Sequence, residues 1–269
     1  MSATIYMHEF RTRLRSVAIW AVSIAVLVIF FFSLYPAFAR DATLLNEMMA
    51  KFPVELREAF GIGNVDMSSV LGFYSFLFVF VQLCAAIQAA NYGVGLVSVE
   101  ETELTADFLL SKPVSRSQVF VSKLLAAFTS LAITDLVLWL SSFIAVLLFR
   151  GERSYETSTL LLLFVSIVIF QLFFLSVGLI ISLLVKRVRS VTPYALGLGF
   201  GMYVLSAFSG VFKDVKLEYI TAFKHLDPAY MVEHGAFNTP LVLLNVAVTL
   251  VSLAASYWLY LRRDIPAVS

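Results

Sequence analysis

Residues 158–185 read STLLLLFVSIVIFQLFFLSVGLIISLLV, and none of them is charged. Roughly 20 apolar residues of helix are enough to cross a hydrocarbon core about 30 Å thick, and this run is longer. In lipid a helix satisfies its own backbone hydrogen bonds, whereas an isolated strand leaves them unpaired. The stretch therefore reads as a transmembrane helix. Five more runs share its character: Val17–Ala39, Ser69–Tyr92, Leu124–Phe149, Val191–Val211 and Pro240–Leu261. No ten-residue alternation of the kind a membrane barrel needs is present. The expectation is an all-α integral membrane protein with six transmembrane helices, forming one membrane domain over residues 1–269.

Composition agrees. Of 269 residues 60% are hydrophobic and 14% charged, and the mean hydropathy is +0.90. Soluble domains carry about 25% charged residues. A net charge of +1 gives no long-range field for nucleic acid. The one cysteine, Cys84, allows no intrachain disulfide and reads as a small packing residue. Arg11, Arg13 and Arg15 precede the first run, and Ala37-Phe38-Ala39 resembles a signal cleavage site. The run Val17–Ala39 exceeds the roughly 7–15 residues of a signal core, so it reads as a retained span.

Six spans put both termini on one side. The connectors on that side and the termini hold 11 of the bases, against 8 on the other side, and the 11 crowd the span ends. By the positive-inside rule both termini face the cytoplasm of a prokaryotic-type cell (inner) membrane. Before the first span, Tyr6, Met7, Phe10 and Leu14 share a helical face, which suits an N-terminal interfacial helix or a charged orienting flank. Two outer segments are longer than connectors need to be. Within Asp41–Ser68, Pro53 is placed to start a helix. Within Val215–Phe237, Leu217, Ile220, Phe223 and Leu226 stand at helical spacing, as in a surface helix or a cap.

One inner connector, residues 98–118, differs from everything around it. Glu100, Glu103 and Asp107 fall at i, i+3, i+7, and Leu104 and Phe108 form an apolar pair at i, i+4. Pro113 pushes its preceding residue out of the helical region. Ser115 or Ser117 can cap a new helix. The pattern is helix, tight turn, helix: a stiff foot between the second and third spans.

This connector resembles that of the permease subunits of exporter-type (ABC-2-type, type V) ABC transporters. In that family it reads acid, Gly-Thr, Leu-Leu-Ser, any residue, Pro-Val-Ser-Arg, then a Lys at the third span. Glu100 or Glu101 matches the acid, Thr105 the threonine, Leu109-Leu110-Ser111-Lys112-Pro113-Val114-Ser115-Arg116 the core, and Lys123 the lysine. Leu104 stands where Gly is usual. The closing Tyr260-Leu261-Arg262-Arg263-Asp264 is similar to the family's C-terminal end. The resemblance implies a cytoplasmic coupling helix seated on an ATPase through Glu100, Glu101, Thr105, Phe108, Leu109, Pro113, Val114, Ser115 and Arg116, with a smaller contact at Arg187. It implies two ABC ATPase subunits per complex and a second permease, identical or paralogous, amid membrane lipid. The chain contains no G-x-x-x-x-G-K-[ST] phosphate loop, so ATP and Mg are expected on the partner ATPase and no cofactor on this chain. The implied activity is export of a lipid-like, peptide or drug-like substrate.

Within the spans, Asp135 is the sole ionisable side chain. An ionised Asp at mid-membrane costs about 2.5–3.5 kcal/mol on insertion scales, so it should face the protein interior, a path or a partner. Gln82, Gln88, Gln171 and Asn245 are candidate neighbours. Gly197 and Gly201, spaced as G-x-x-x-G, suit close helix packing. These residues are candidates for a transport path or subunit packing; for Asp135 a protonated, hydrogen-bonded structural role is the alternative. His225, Asp227, Glu233 and His234 cluster in sequence, but their spacing fits no zinc pattern and reads as surface polarity. Two other classes were weighed. An intramembrane enzyme needs paired acids or His within spans; the Glu100-Glu101 pair lies outside them and no His lies in any. A non-transporting membrane scaffold is the third.

Overall fold

The computed structural model describes residues 2–40, 47, 51–53, 57, 65–102, 115–185, 188–209 and 216–262. Every regular element among them is helical. The helices are α1 Ala3–Ser33, α2 Tyr35–Arg40, α3 Val70–Thr102, α4 Arg116–Phe149, α5 Thr157–Leu184, α6 Thr192–Phe208, α7 Ala222–His225, α8 Pro228–His234 and α9 Thr239–Arg262, with a 3₁₀ turn at Leu217–Tyr219 before α7. Among the described residues five helical segments are long and apolar enough to cross a membrane: Ala3–Arg40, Val70–Ser98, Arg116–Phe149, Thr157–Leu184 and Thr239–Arg262. The remaining expected span appears as α6. It has 17 residues, about 26 Å at 1.5 Å per residue.

The expected interfacial helix is continuous with the first span. Nothing between Ala3 and Ser33 breaks α1, which packs on α4; Tyr6 reaches Thr129 of α4, while Met7 and Leu14 are exposed. The bend comes at the other end, where Leu34 separates α1 from α2 and Pro36 denies the backbone an N–H. There Phe32, Tyr35 and Phe73 form an aromatic cluster with ring centroids 5.3–5.8 Å apart. Arg153, in the connector before α5, donates to the carbonyls of Ala39 and Ser68. The Tyr35 hydroxyl donates to the same Ser68 carbonyl at 2.9 Å. One guanidinium thus fastens the end of α2 to the start of α3.

The centre is the seam between α3 and α5, on which α6 and α9 pack from their own sides. Two glycines make it close. A Cβ on Gly93 would lie 2.1 Å from the Leu175 carbonyl oxygen, and one on Gly178 would lie 2.8 Å from that of Ala90. Small residues let membrane helices approach backbone to backbone, gaining dispersion contact where no hydrophobic effect is available. Ala85, Ala86, Ala89 and Ala90, all fully buried, continue the small face of α3.

The segment 217–237, expected as a surface helix or a cap, is not one helix: the 3₁₀ turn, α7 and α8 pack as a cap on α3, α5, α6 and α9. Phe223 and Leu226 are buried while Ile220 is exposed. Phe223 packs on Phe170 with centroids 4.9 Å apart. Asp227 caps α8 by accepting from the Ala229 amide at 2.9 Å, and Gly235 ends it at φ 62°.

Candidate functional site

Of the residues expected to form the coupling contact, Thr105, Phe108, Leu109, Pro113, Val114 and Arg187 lie outside the described residues. Glu100 and Glu101 belong to the last turns of α3, which runs on past the expected span end at Tyr92 to Thr102. At the far side of the connector, Ser115 is the N-cap of α4. Its hydroxyl accepts from the Gln118 amide and the Gln118 side chain accepts from the Ser115 amide, both at 3.3 Å. This reciprocal capping box satisfies two backbone donors that a helix start leaves open. It fixes where α4 begins, well before the expected span start at Leu124. Arg116 reaches α9, donating to the Leu261 carbonyl at 3.5 Å. Ser117 and Tyr257 share a hydroxyl–hydroxyl bond of 2.9 Å.

A polar network lies just inside this end of the bundle. Lys123, only 2% exposed, donates to the Leu96 carbonyl at 3.0 Å and lies 3.4 Å from the Glu9 carboxylate. Glu9 also meets Arg13 at 3.3 Å, and the Arg13 guanidinium sits 5.4 Å from the centre of the Tyr92 ring. The Tyr92 hydroxyl donates to Ser16 at 3.3 Å, and the Gln88 amide donates to Thr134 at 2.9 Å. A buried ammonium needs a counter-charge and further acceptors. Glu9 on α1 and Leu96 on α3 supply both, so Lys123 joins three helices. The sequence identified Lys123 as a motif residue and an orienting base. The signal that could have found its partner is Glu9, the one acid among the bases before the first span.

Asp135 is 4% exposed, on the side of α4 that faces α5 and α9. Between these three helices lies a groove of about 630 Å³. Asp135, Gln171 and Thr249 supply its polar groups, and Leu136, Leu172 and Leu250 are among its apolar walls. Gln171 lines the groove beside Asp135. Asp135 Oδ1, Gln171 Oε1 and Trp139 Nε1 are buried without a hydrogen-bond partner among the described residues. Leu136 and Leu250, 53% and 61% exposed, stand at the mouth. The groove therefore opens sideways, toward lipid or whatever covers that face.

The other residues grouped with Asp135 go elsewhere. Gln82 donates to the Leu226 carbonyl of the cap at 2.8 Å. Asn245 faces His225, Nδ2 to Nδ1 at 3.4 Å. His225 is thus 2% exposed and packed edge-on against Phe173, not surface polarity. Asp227 serves as a helix cap and His234 stacks on Tyr230, so the polar residues of this segment diverge. Gly197 and Gly201 have no atom within 4 Å of where a Cβ would sit, and both lie on the exposed face of α6. The glycine of α6 packed inside the chain is Gly199, against Ile87. Gly93, at the close approach of α3 and α5, had a legible signal in the small-x-x-x-small spacings Ala86…Ala90 and Ala89…Gly93.

The family model of the ABC-2 family transporter protein matches residues 3–265, from the start of α1 to beyond the end of α9. The chain belongs to the ABC-2 transporter family. No curated protein matches it. As an ABC-2 protein it is a multi-pass membrane chain, a permease subunit of an ABC transporter. Membership also implies association with an ABC ATPase subunit.

Proposed function

We propose that this ABC-2 chain is the transmembrane subunit of an ATP-driven exporter, powered through the connector between α3 and α4. The observation that carries the reading is the family match over residues 3–265, joined to the connector's acid-to-Arg116 motif. In this reading α6 completes a set of six spans, and both termini and the connector face the cytoplasm. Two copies, or one copy with a paralogous permease, associate with two ATPase subunits that bind ATP and Mg. The connector 98–118 seats in the ATPase pair through its coupling helix, with Arg187 a lesser contact. The substrate is lipid-like, a peptide or a drug-like molecule.

The helices on either side of the connector support a mechanical route. Helix α3 has 33 residues and α4 has 34, each about 50 Å long. Both exceed the roughly 30 Å hydrocarbon core, so both project beyond it and offer the ATPase a pair of levers. Lys123 ties the levers to each other and to α1. Displacement of the connector on ATP-driven closure then moves three helices as one body. Co-purification tests this directly. The chain should bring down an ATPase whose hydrolysis is coupled to transport. Glu101→Arg or Phe108→Asp should uncouple the two while leaving the spans folded, and normal transport in both variants would remove the docking claim.

A further inference from the structure

We propose that the groove between α4, α5 and α9 binds a free cationic amphiphile, its ammonium on Asp135 and Gln171 and its tail along Leu136, Leu172 and Leu250. Binding by the chain alone is at issue, so the inference does not rest on ATP coupling or on export. Three observations carry it. The groove's volume of about 630 Å³ lies within the roughly 300–1,000 Å³ of small-molecule sites. Its lining is apolar apart from a few converging polar groups, the usual form of such a site. The buried atoms left open at those groups include two acceptors on neighbouring side chains, Asp135 Oδ1 and Gln171 Oε1.

The chemistry of the occupant follows from those atoms. A buried carboxylate oxygen without a partner is costly, and a positive donor relieves that cost most fully. An ammonium brings several N–H donors and a charge opposite to that of Asp135, so it can serve both acceptors at once. An anion would meet the carboxylate and the amide oxygen as repulsive neighbours. A neutral alcohol has one donor for two acceptors. Trp139 Nε1, the open donor in the same wall, can serve an oxygen carried near the ammonium.

Depth favours a free amphiphile over a bilayer phospholipid. Asp135 lies fourteen residues before the end of α4 at Phe149, about 21 Å along the helix axis. Phospholipid headgroups stay at the interface, whereas a single-chain amine with a short body can enter sideways past Leu136 and Leu250.

Trp139 provides the readout. The chain has three tryptophans, so Trp20→Phe and Trp258→Phe leave Trp139 as the sole emitter. The full chain in phosphatidylcholine nanodiscs is titrated with 12-bromododecylamine and with 12-bromododecanol, whose bromine quenches a nearby indole. The amine should quench saturably with a Kd at least tenfold tighter than the alcohol. Asp135→Asn should bring the amine to the alcohol's Kd, and Asp135→Glu should keep most of the preference. Thr249→Phe, which fills the groove from α9, should weaken both ligands. Equal, unsaturable quenching by both ligands overturns the proposal, as does an amine preference that survives in Asp135→Asn. Competition when phosphatidylethanolamine replaces phosphatidylcholine would assign the ammonium to a lipid headgroup and overturn the free amphiphile as occupant; an unchanged titration supports it.

Discussion

Helix α5 meets its neighbours in two opposite ways. Along α3 it forms a seam in which glycine brings backbone against backbone, with Gly93 on one side and Gly178 on the other. Along α4 and α9 it borders a groove, with Gln171 and Leu172 beside an open carboxylate oxygen on Asp135. The same apolar helix thus holds a rigid contact on one face and an unfilled one on another. In a membrane the difference cannot come from hydrophobicity, because lipid tails are as apolar as leucine. It comes from side-chain size: small residues close the first interface, while large ones such as Trp139 and Phe164, with centroids 5.8 Å apart, stand between α4 and α5. A transporter needs both, since a fixed frame lets a chosen interface change.

The largest expected effect comes from opening the seam. A leucine at Gly93 places its Cβ near 2.1 Å from the Leu175 oxygen, and backbone atoms on both sides leave nothing flexible to yield. Gly93→Leu should therefore abolish monodisperse protein on gel filtration in mild detergent. Gly178→Ala meets the Ala90 oxygen at 2.8 Å and should cost about 1–3 kcal/mol, the usual penalty of overpacking. Normal melting temperatures in both would mean that the seam is as loose as the groove and would dissolve the contrast.

The next effect concerns the levers that leave the seam at the N-terminal end. Replacing Lys123 by Met removes the donor to Leu96 and leaves Glu9 with Arg13 alone. The expected loss is about 1–3 kcal/mol, read from thermal unfolding. Glu9→Gln should cost at least as much, because it takes the Glu9 counter-charge from the buried Lys123 ammonium. The double variant should lose less than the two singles together, as contacting residues do. Additive losses would show that α1 is not joined to the seam through this pair.

How much of this the sequence displayed depends on the kind of interaction. Five spans were legible from apolar runs alone, because a bilayer demands long uncharged helices whatever they pack against. The helix start at Ser115 was legible because caps are local chemistry. The singular position of Asp135 was legible too, since an acid within a span stands out in composition. What escaped were relations between helices. The i, i+4 pattern of Gly197 and Gly201 suggested packing as readily as that of Ala89 and Gly93, yet only the latter glycine meets a helix of this chain. The regular spacing of Leu217, Ile220, Phe223 and Leu226 suited a surface helix as well as a cap. Tertiary burial of Phe223 and His225 instead broke the segment into short pieces. Glutamines show the same limit: of the three named beside Asp135, one lines the same groove, one meets Thr134 and one meets the cap.

The smallest effect tests whether the groove's α9 wall is anchored from the cap. Asn245 lies on α9 next to Val246, which lines the groove, and it faces His225 of α7. Burial holds His225 below its ordinary value near 6.5. The neighbouring Tyr219 and Glu218 backbone offsets part of this, although no partner closes a well-formed hydrogen bond to Nε2. The sign follows from which state takes the proton first. As pH falls through about 6.5 the unfolded chain binds it while the folded chain does not, so stability drops in that window and continues to drop until His225 itself charges. Thermal unfolding followed by tryptophan fluorescence should show a falling melting temperature from pH 7.5 to 5.5. In His225→Gln that fall should be shallower, because the variant loses this linkage but keeps a polar group for Asn245. Groove binding of an alkylamine should weaken over the same pH range in the parent chain more than in the variant, if the cap holds the wall in place. Identical pH profiles in both chains would separate the cap from the groove and leave Asp135 facing a wall fixed by α5 alone.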